Sequence, residues 1–118
     1  MKVLVTGVAG FMGSHLADAF LAKGYDVIGI DNLLGGYEEN VPSGVDFHNI
    51  DLDNLELIQP LFEDVDLVVH TACTAYEGLS VFSPSLVVRN TMQITTNRMS
   101  ACVMANVKKI VHLSSMAR

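Results

Sequence analysis

Along the chain, short apolar runs alternate with longer stretches whose apolar positions recur every three or four residues. That rhythm predicts buried parallel strands joined by amphipathic helices. The first run, Val3-Leu4-Val5, is rich in β-branched residues and short enough for a core strand. Glycines follow at 7, 10 and 13, and then Phe11, Leu16, Ala19, Phe20 and Ala22 fall at helical spacing, with Gly24 as a C-terminal cap. Asp26-Val27-Ile28-Gly29-Ile30 predicts a second strand ending in Asp31-Asn32, and the turn-rich residues 33–44 predict a loop. Val45 to Ile50 alternates and predicts a third strand, with Asp51-Leu52 at its end. Asn54 is a good N-cap for a short helix reaching Phe62, which Pro60 cuts short. Val65 to His70 predicts a fourth strand, followed by Thr71-Ala72-Cys73-Thr74. After a further loop, Pro84 opens a long helix to about Ala105, and Val107 to Leu113 predicts a fifth strand that delivers Ser114 and Ser115.

Strands that alternate with helices pair in parallel through right-handed crossovers. The expected fold is therefore α/β: a five-stranded parallel sheet in the order 3-2-1-4-5, with helices on both faces. At 118 residues the chain reads as one domain, residues 1–118, large enough for a real core. In such a sheet a ligand lies outside the carboxyl ends of the strands, at the switch between strands 1 and 4. The segments ending there are Gly7 to Gly13, Asp31-Asn32, Asp51-Leu52, Thr71 to Thr74 and Ser114-Ser115. Their convergence on one crevice says more than any motif among them.

The glycine turn carries the clearest chemistry. A strand, a tight glycine turn and a helix start together present backbone N–H groups and a helix N-terminus to a pyrophosphate. The spacing here is G-x-x-G-x-x-G rather than G-x-G-x-x-G, and a glycine-rich turn with no ligand is the alternative. Asp31 stands 18 residues past Gly13, where a Rossmann unit places the acid that bonds the ribose hydroxyls. A carboxylate there repels a 2′-phosphate and favours NAD over NADP; the plainer reading is a turn-capping aspartate.

Composition removes several classes. Half the residues are hydrophobic, 17% are charged and the net charge is −6, which argues against nucleic acid or an anionic membrane as partner. No segment reaches the length of a membrane span, and residues 1–10 lack the regions of a secretory signal. Cys73 and Cys102 lie in apolar segments without metal-ligand spacing, so buried, reduced thiols in a cytoplasmic protein are expected, with no metal site.

Val5-Thr6-Gly7-Val8-Ala9-Gly10-Phe11-Met12-Gly13-Ser14-His15-Leu16 resembles the T-G-x-x-G-F-x-G-S-H-L opening of the extended short-chain dehydrogenase/reductase family, in particular its nucleotide-sugar epimerases and dehydratases. The resemblance covers essentially the whole chain and matches the N-terminal third of a full-length member, ending after the fifth strand. It implies that Gly7, Gly10, Phe11, Met12 and Gly13 hold the NAD diphosphate. Asp31-Asn32-Leu33 resembles the D-N-L that holds the adenosine ribose, and Asp51-Leu52 the pair that contacts adenine. Thr71-Ala72-Cys73 follows His70 where the family has H-x-A-A or H-x-A-G, along the diphosphate and ribose. Leu113-Ser114-Ser115 matches the serines after the fifth strand, with Ser115 in the place of the residue that bonds the reacting sugar oxygen. The implied chemistry is hydride transfer between a sugar carbon and NAD, aided by the tyrosine of a Y-x-x-x-K motif.

The chain departs from that pattern in ways that matter. Tyr25, Tyr37 and Tyr76 are followed four residues later by Gly29, Val41 and Ser80, so no Y-x-x-x-K is present. N-V-x-G-T appears only as Asn90-Thr91-Met92-Gln93-Ile94. The expectation is a fragment or a natural truncation, binding NAD weakly and inactive alone; the alternative is a non-catalytic NAD-binding or assembly module. Ser115 has a plain reading as a strand-end serine, and His70 and His112 as satisfied core histidines. Met92, Met99 and Met104 read as packing residues of the long helix. In the family that helix enters a dimer interface, so a face with Val88, Met92, Met99 and Val103 is expected to lie open and to drive self-association through residues 84–105.

Overall fold

Central strand β1 (Lys2–Thr6) is flanked by β2 (Asp26–Asp31) and β4 (Leu67–His70), with β3 (Asp46–Asn49) and β5 (Lys109–His112) at the edges. This computed structural model describes residues 1–74 and 78–115. All pairings are parallel, so the order is 3-2-1-4-5 as the alternation predicts. Helix α1 (Phe11–Ala22) connects β1 to β2, and α2 (Leu55–Ile58) follows β3. Between β4 and β5 lie α3 (Leu79–Phe82), α4 (Pro84–Val88), a π turn over Arg89–Gln93, and α5 (Ile94–Met104).

Strand side chains alternate between faces, so β1 feeds two cores. Leu4, Ile28, Ile30 and Val68 pack on one face with Ile58, Phe62, Ile94, Ala101 and Cys102 from α2, the 3₁₀ turn after it, and α5. Val3, Val5, Val27 and Val69 pack on the other with Val8 and Ala17, joined by the half-buried Leu16, Phe20 and Leu21 of α1. Each fully buried aliphatic side chain contributes roughly 1.5–3 kcal/mol, which makes these two layers the main source of stability.

Several elements differ from the sequence reading. The packed face of α1 runs through Gly13, Leu16, Ala17, Phe20 and Leu21, while Phe11, Ala19 and Ala22 are exposed. Gly24 does close that helix as expected: it follows Lys23 in the left-handed region at φ 81°, and its N–H donates to the Leu21 carbonyl at 2.9 Å. Asn54 does cap α2, accepting from the Leu57 N–H at 3.3 Å, but Pro60 ends the α geometry and Gln59–Phe62 continue as a 3₁₀ turn. Strands β3, β4 and β5 are each shorter than the apolar runs that mark them. The predicted 84–105 helix is interrupted by the π turn, and α3 supplies a helical turn inside a predicted loop. Every residue of β5 is exposed, so this edge strand is not a core strand. No helix among the described residues is long and apolar enough to cross a membrane.

Candidate cofactor cleft

A cleft of about 250 Å³ opens at the carboxyl ends of β1, β2, β3 and β4. Gly7, Gly10, Asp31, Asn32, Asp51, Leu52, Thr71, Ala72 and Cys73 all line it. Nine predicted positions from four separate segments thus meet where the strand order reverses.

The turn after β1 is shaped by backbone contacts that exclude side chains. Gly7 adopts φ 74°, and a Cβ on it would sit 2.8 Å from both the Ala72 nitrogen and Thr71 Oγ1. A Cβ on Gly13 would collide with the Gly7 carbonyl and lie 2.9 Å from the Val8 Cα, so this glycine sets how closely α1 approaches β1. The Thr71 hydroxyl donates to the Thr6 carbonyl at 2.7 Å, tying the ends of β4 and β1 together.

Asp31 closes the opposite wall. Its Oδ2 accepts from the Ala9 N–H at 2.9 Å and its Oδ1 from the Leu33 N–H at 2.8 Å. One carboxylate therefore clamps the glycine turn and the loop after β2. Leu33 pays for this geometry with φ 62°, in the left-handed region that a branched side chain rarely occupies. Asn32 Nδ2 donates to Asp51 Oδ2 at 3.2 Å, which joins the ends of β2 and β3.

The backbone amides do not all face outward, contrary to the sequence reading. The Gly10 N–H donates to the Gly7 carbonyl at 3.1 Å, and the Ala9 N–H is held by Asp31. The first bond into α1 runs from the Ser14 N–H to the Gly10 carbonyl at 3.0 Å, so the amides of Phe11, Met12 and Gly13 precede the helical ladder. Gly10 caps the helix with no side-chain bond. Phe11, Met12 and Gly13 stand in the first turn beside the cleft rather than among its lining residues, and the Phe11 ring is edge-on to His15 at 4.9 Å.

Other predicted positions fall elsewhere. Ser114 and Ser115 follow β5 as exposed residues outside the cleft lining. Cys73 is exposed because it lies past the end of β4, which corrects its reading as a buried thiol; Cys102 is buried on α5. Tyr76 lies outside the described residues. Asn90, left without a role by the sequence, is buried in the cleft wall, where its Nδ2 donates to Thr74 Oγ1 at 3.0 Å and its Oδ1 has no partner. Asn97 carries no sequence signal either; its Nδ2 donates to the Leu52 and Asp53 carbonyls at 2.9 Å each and fixes the floor after β3.

Behind the cleft His70 is 1% exposed, sharing hydrogen bonds with Thr6 Oγ1 at 2.6 Å and Thr95 Oγ1 at 3.2 Å. Burial, with Arg98 and then His112 adding to it, pushes its pKa down to about 3, so the ring is neutral. His70 is the satisfied core histidine expected. His112 is not: it is exposed on β5, stacked on His70 at 5.3 Å, and accepts from Arg98 Nη2 at 3.3 Å. Arg98 is 2% exposed, its Nε and Nη1 have no hydrogen-bond partner among the described residues, and burial lowers its pKa despite the neighbouring Cys102.

The profile of the NAD dependent epimerase/dehydratase family matches residues 3–117. The chain belongs to that family. An NAD dependent epimerase/dehydratase chain accounts for the glycine turn, the acid after β2 and the sheet order together. A UDP-glucuronic acid decarboxylase 4 from Arabidopsis thaliana is 35% identical over 97 residues, covering 82% of this chain and 22% of that protein. The UDP-glucose 4-epimerase of Thermotoga maritima, solved with UDP-glucose, superposes with a TM-score of 0.94 at 31% identity, covering 98% of this chain and 38% of the other. The UDP-glucose 4-epimerase of Thermus thermophilus, solved with NAD, superposes with a TM-score of 0.87 at 39% identity over 93% of this chain and 36% of the other. The chain thus spans between 22% and 38% of the length of these relatives. Its cleft fits the family's dinucleotide: the helix cap carries no side chain over the first-turn amides, and the orphaned Asn90 oxygen offers an acceptor inside the wall.

Proposed function

We propose that this chain supplies the NAD-binding part of an enzyme acting on a nucleotide sugar, with UDP-sugars as the substrate class. Asp31 carries the reading, because its carboxylate is fixed between the glycine turn and the following loop on the cleft wall. There it meets the ribose hydroxyls and repels a 2′-phosphate, so NAD binds in preference to NADP. Gly7 and Gly10 admit the backbone close to the diphosphate, and the amides of Phe11, Met12 and Gly13 supply donors and the positive end of α1. Asn32, Asp51 and Leu52 receive the adenosine end; Thr71, Ala72, Cys73 and Ser114 follow the diphosphate and the second ribose. Ser115 holds the reacting sugar oxygen. Bound NAD supplies a hydride acceptor for a sugar carbon.

The test is thermal unfolding with added nucleotide. At a hundredfold excess over Kd, a ligand of the native state adds about 2.7 kcal/mol. NAD is expected to raise Tm and NADP to leave it nearly unchanged; equal shifts, or none, overturn the reading. With no Tyr-x-x-x-Lys in its 118 residues, the chain alone is expected to show no sugar-nucleotide turnover. A second copy of the chain covers the exposed Val88, Met92, Met99 and Val103 along residues 84–104. Light scattering at micromolar concentration is expected to give a dimer or larger, and a monomer removes this part. The free thiols of Cys73 and Cys102 suit the reducing cytoplasm.

A further inference from the structure

We propose that Asn40 is a positioning residue for the phosphate-facing turn, acting through the Ala9 carbonyl. This rests on the NAD reading above and extends it to a residue that touches no nucleotide. Asn40 Nδ2 donates to the Ala9 carbonyl at 3.2 Å, and the Tyr37 N–H donates to the same oxygen at 3.3 Å. Gly36 makes the approach possible, since a Cβ there would lie 2.5 Å from the Ala9 oxygen and 2.7 Å from its carbon.

The Ala9 carbonyl and the Gly10 N–H share one rigid peptide plane. Bonding that carbonyl to the 36–40 loop therefore sets the direction of the Gly10 N–H, which donates to the Gly7 carbonyl. The preceding plane is set by Asp31 through the Ala9 N–H. Two consecutive planes are thus pinned from outside the turn, and α1 starts from them. Without the Asn40 amide the Ala9 carbonyl keeps only the longer bond from Tyr37, and the Ala9–Gly10 plane has more freedom to rock about the Gly10 N–H bond to Gly7. An Ala9 oxygen freed in that way raises the electrostatic cost of a pyrophosphate nearby.

Asn40 is exposed, so its replacement leaves the core intact. The experiment compares wild type with Asn40→Ala and with Asn40→Leu, which keeps the volume but not the donor. Affinities for adenosine, ADP and NAD are read by NMR titration of the whole chain, alongside Tm without ligand. Both variants should bind ADP and NAD about threefold to tenfold more weakly, the scale of one hydrogen bond, while adenosine affinity holds and Tm falls by no more than a few degrees. Unchanged ADP and NAD affinity, or an equal loss for adenosine, overturns the positioning role alone. A wild-type chain that binds neither ADP nor NAD overturns the cofactor reading, and this inference with it.

Discussion

Asp31 and Arg98 are the charged centres of the two halves of the sheet, and their surroundings are opposite. In the first crossover, from β1 through α1 to β2, each Asp31 oxygen accepts from a backbone N–H supplied by the segment it organises. In the second half, from β4 through α5 to β5, the Arg98 guanidinium is buried with two of its nitrogens unbonded among the described residues, beside the neutral His70 and the His112 ring stacked on it. The strands differ in the same sense: β1 is buried over Val3–Thr6, whereas β5 is exposed throughout. The first half is closed by bonds within its own chain and leaves little to improve. The second holds a buried charge with no ion pair among the described residues, and a substitution there is able to stabilise the fold.

The largest expected effect strikes the first half. Gly13→Ala drives a methyl into the Gly7 carbonyl and the backbone of Val8, so destabilisation by about 3 kcal/mol or more is expected in denaturant unfolding. A variant as stable as wild type would break the view of this half as closed. Next, Arg98→Met removes the buried charge while keeping a long apolar side chain. It is expected to stabilise by about 1–4 kcal/mol in the same assay, and a loss of stability would show that the guanidinium is compensated after all.

Acid tests the second half through His70. The neutral ring is favoured in the fold, while the unfolded chain takes up a proton below its ordinary pKa of 6.5. Stability from this group is whole above pH 6.5 and falls as pH drops from 6.5 toward 3, by about 2 kcal/mol at pH 5. The ring faces Arg98 from α5 and His112 from β5, both of which oppose its protonation, and no carboxylate among the described residues offsets the loss. His70→Asn should flatten this limb of the stability curve; an identical limb assigns it to other groups. The smallest effect returns to the cleft: Leu33→Gly relieves the left-handed backbone and is expected to stabilise by up to about 1 kcal/mol.

The same contrast separates what could be read in the sequence from what could not. The β1–turn–α1–β2 unit and Asp31 were legible because their contacts are local and each residue type has one physical reason to be there. The sheet order was legible from the alternation of strands and helices. Phe11, Ala19 and Ala22 misled because several apolar residues are offered at helical spacing, and only packing on β1 selects Gly13, Leu16, Ala17, Phe20 and Leu21. Cys73 was misplaced because the apolar run carries on past the end of β4, and His112 because β5 is a strand whose every residue is exposed at the sheet edge. The burial of Arg98 contradicts the ordinary preference of charged side chains, and a ladder of apolar spacing does not reveal it. The tie from Asn40 to Ala9 joins residues 31 positions apart through a loop with no periodic signal at all.

The π turn at Arg89–Gln93 decides where this segment can change in length. A π turn carries one more residue than an α turn over the same stretch. The turn absorbs that surplus residue, so deleting one residue from 89–93 would heal the helix with α4 and α5 still close to their present register, whereas a deletion within α5 would swing its two sides by about 100° around the axis. Only in the second case would Leu86 rotate out of the cleft wall and Val88 part from the exposed Met99 and Val103. The π turn is thus the stretch where one codon can be lost while the pocket and the open face of this helix stay on their separate sides.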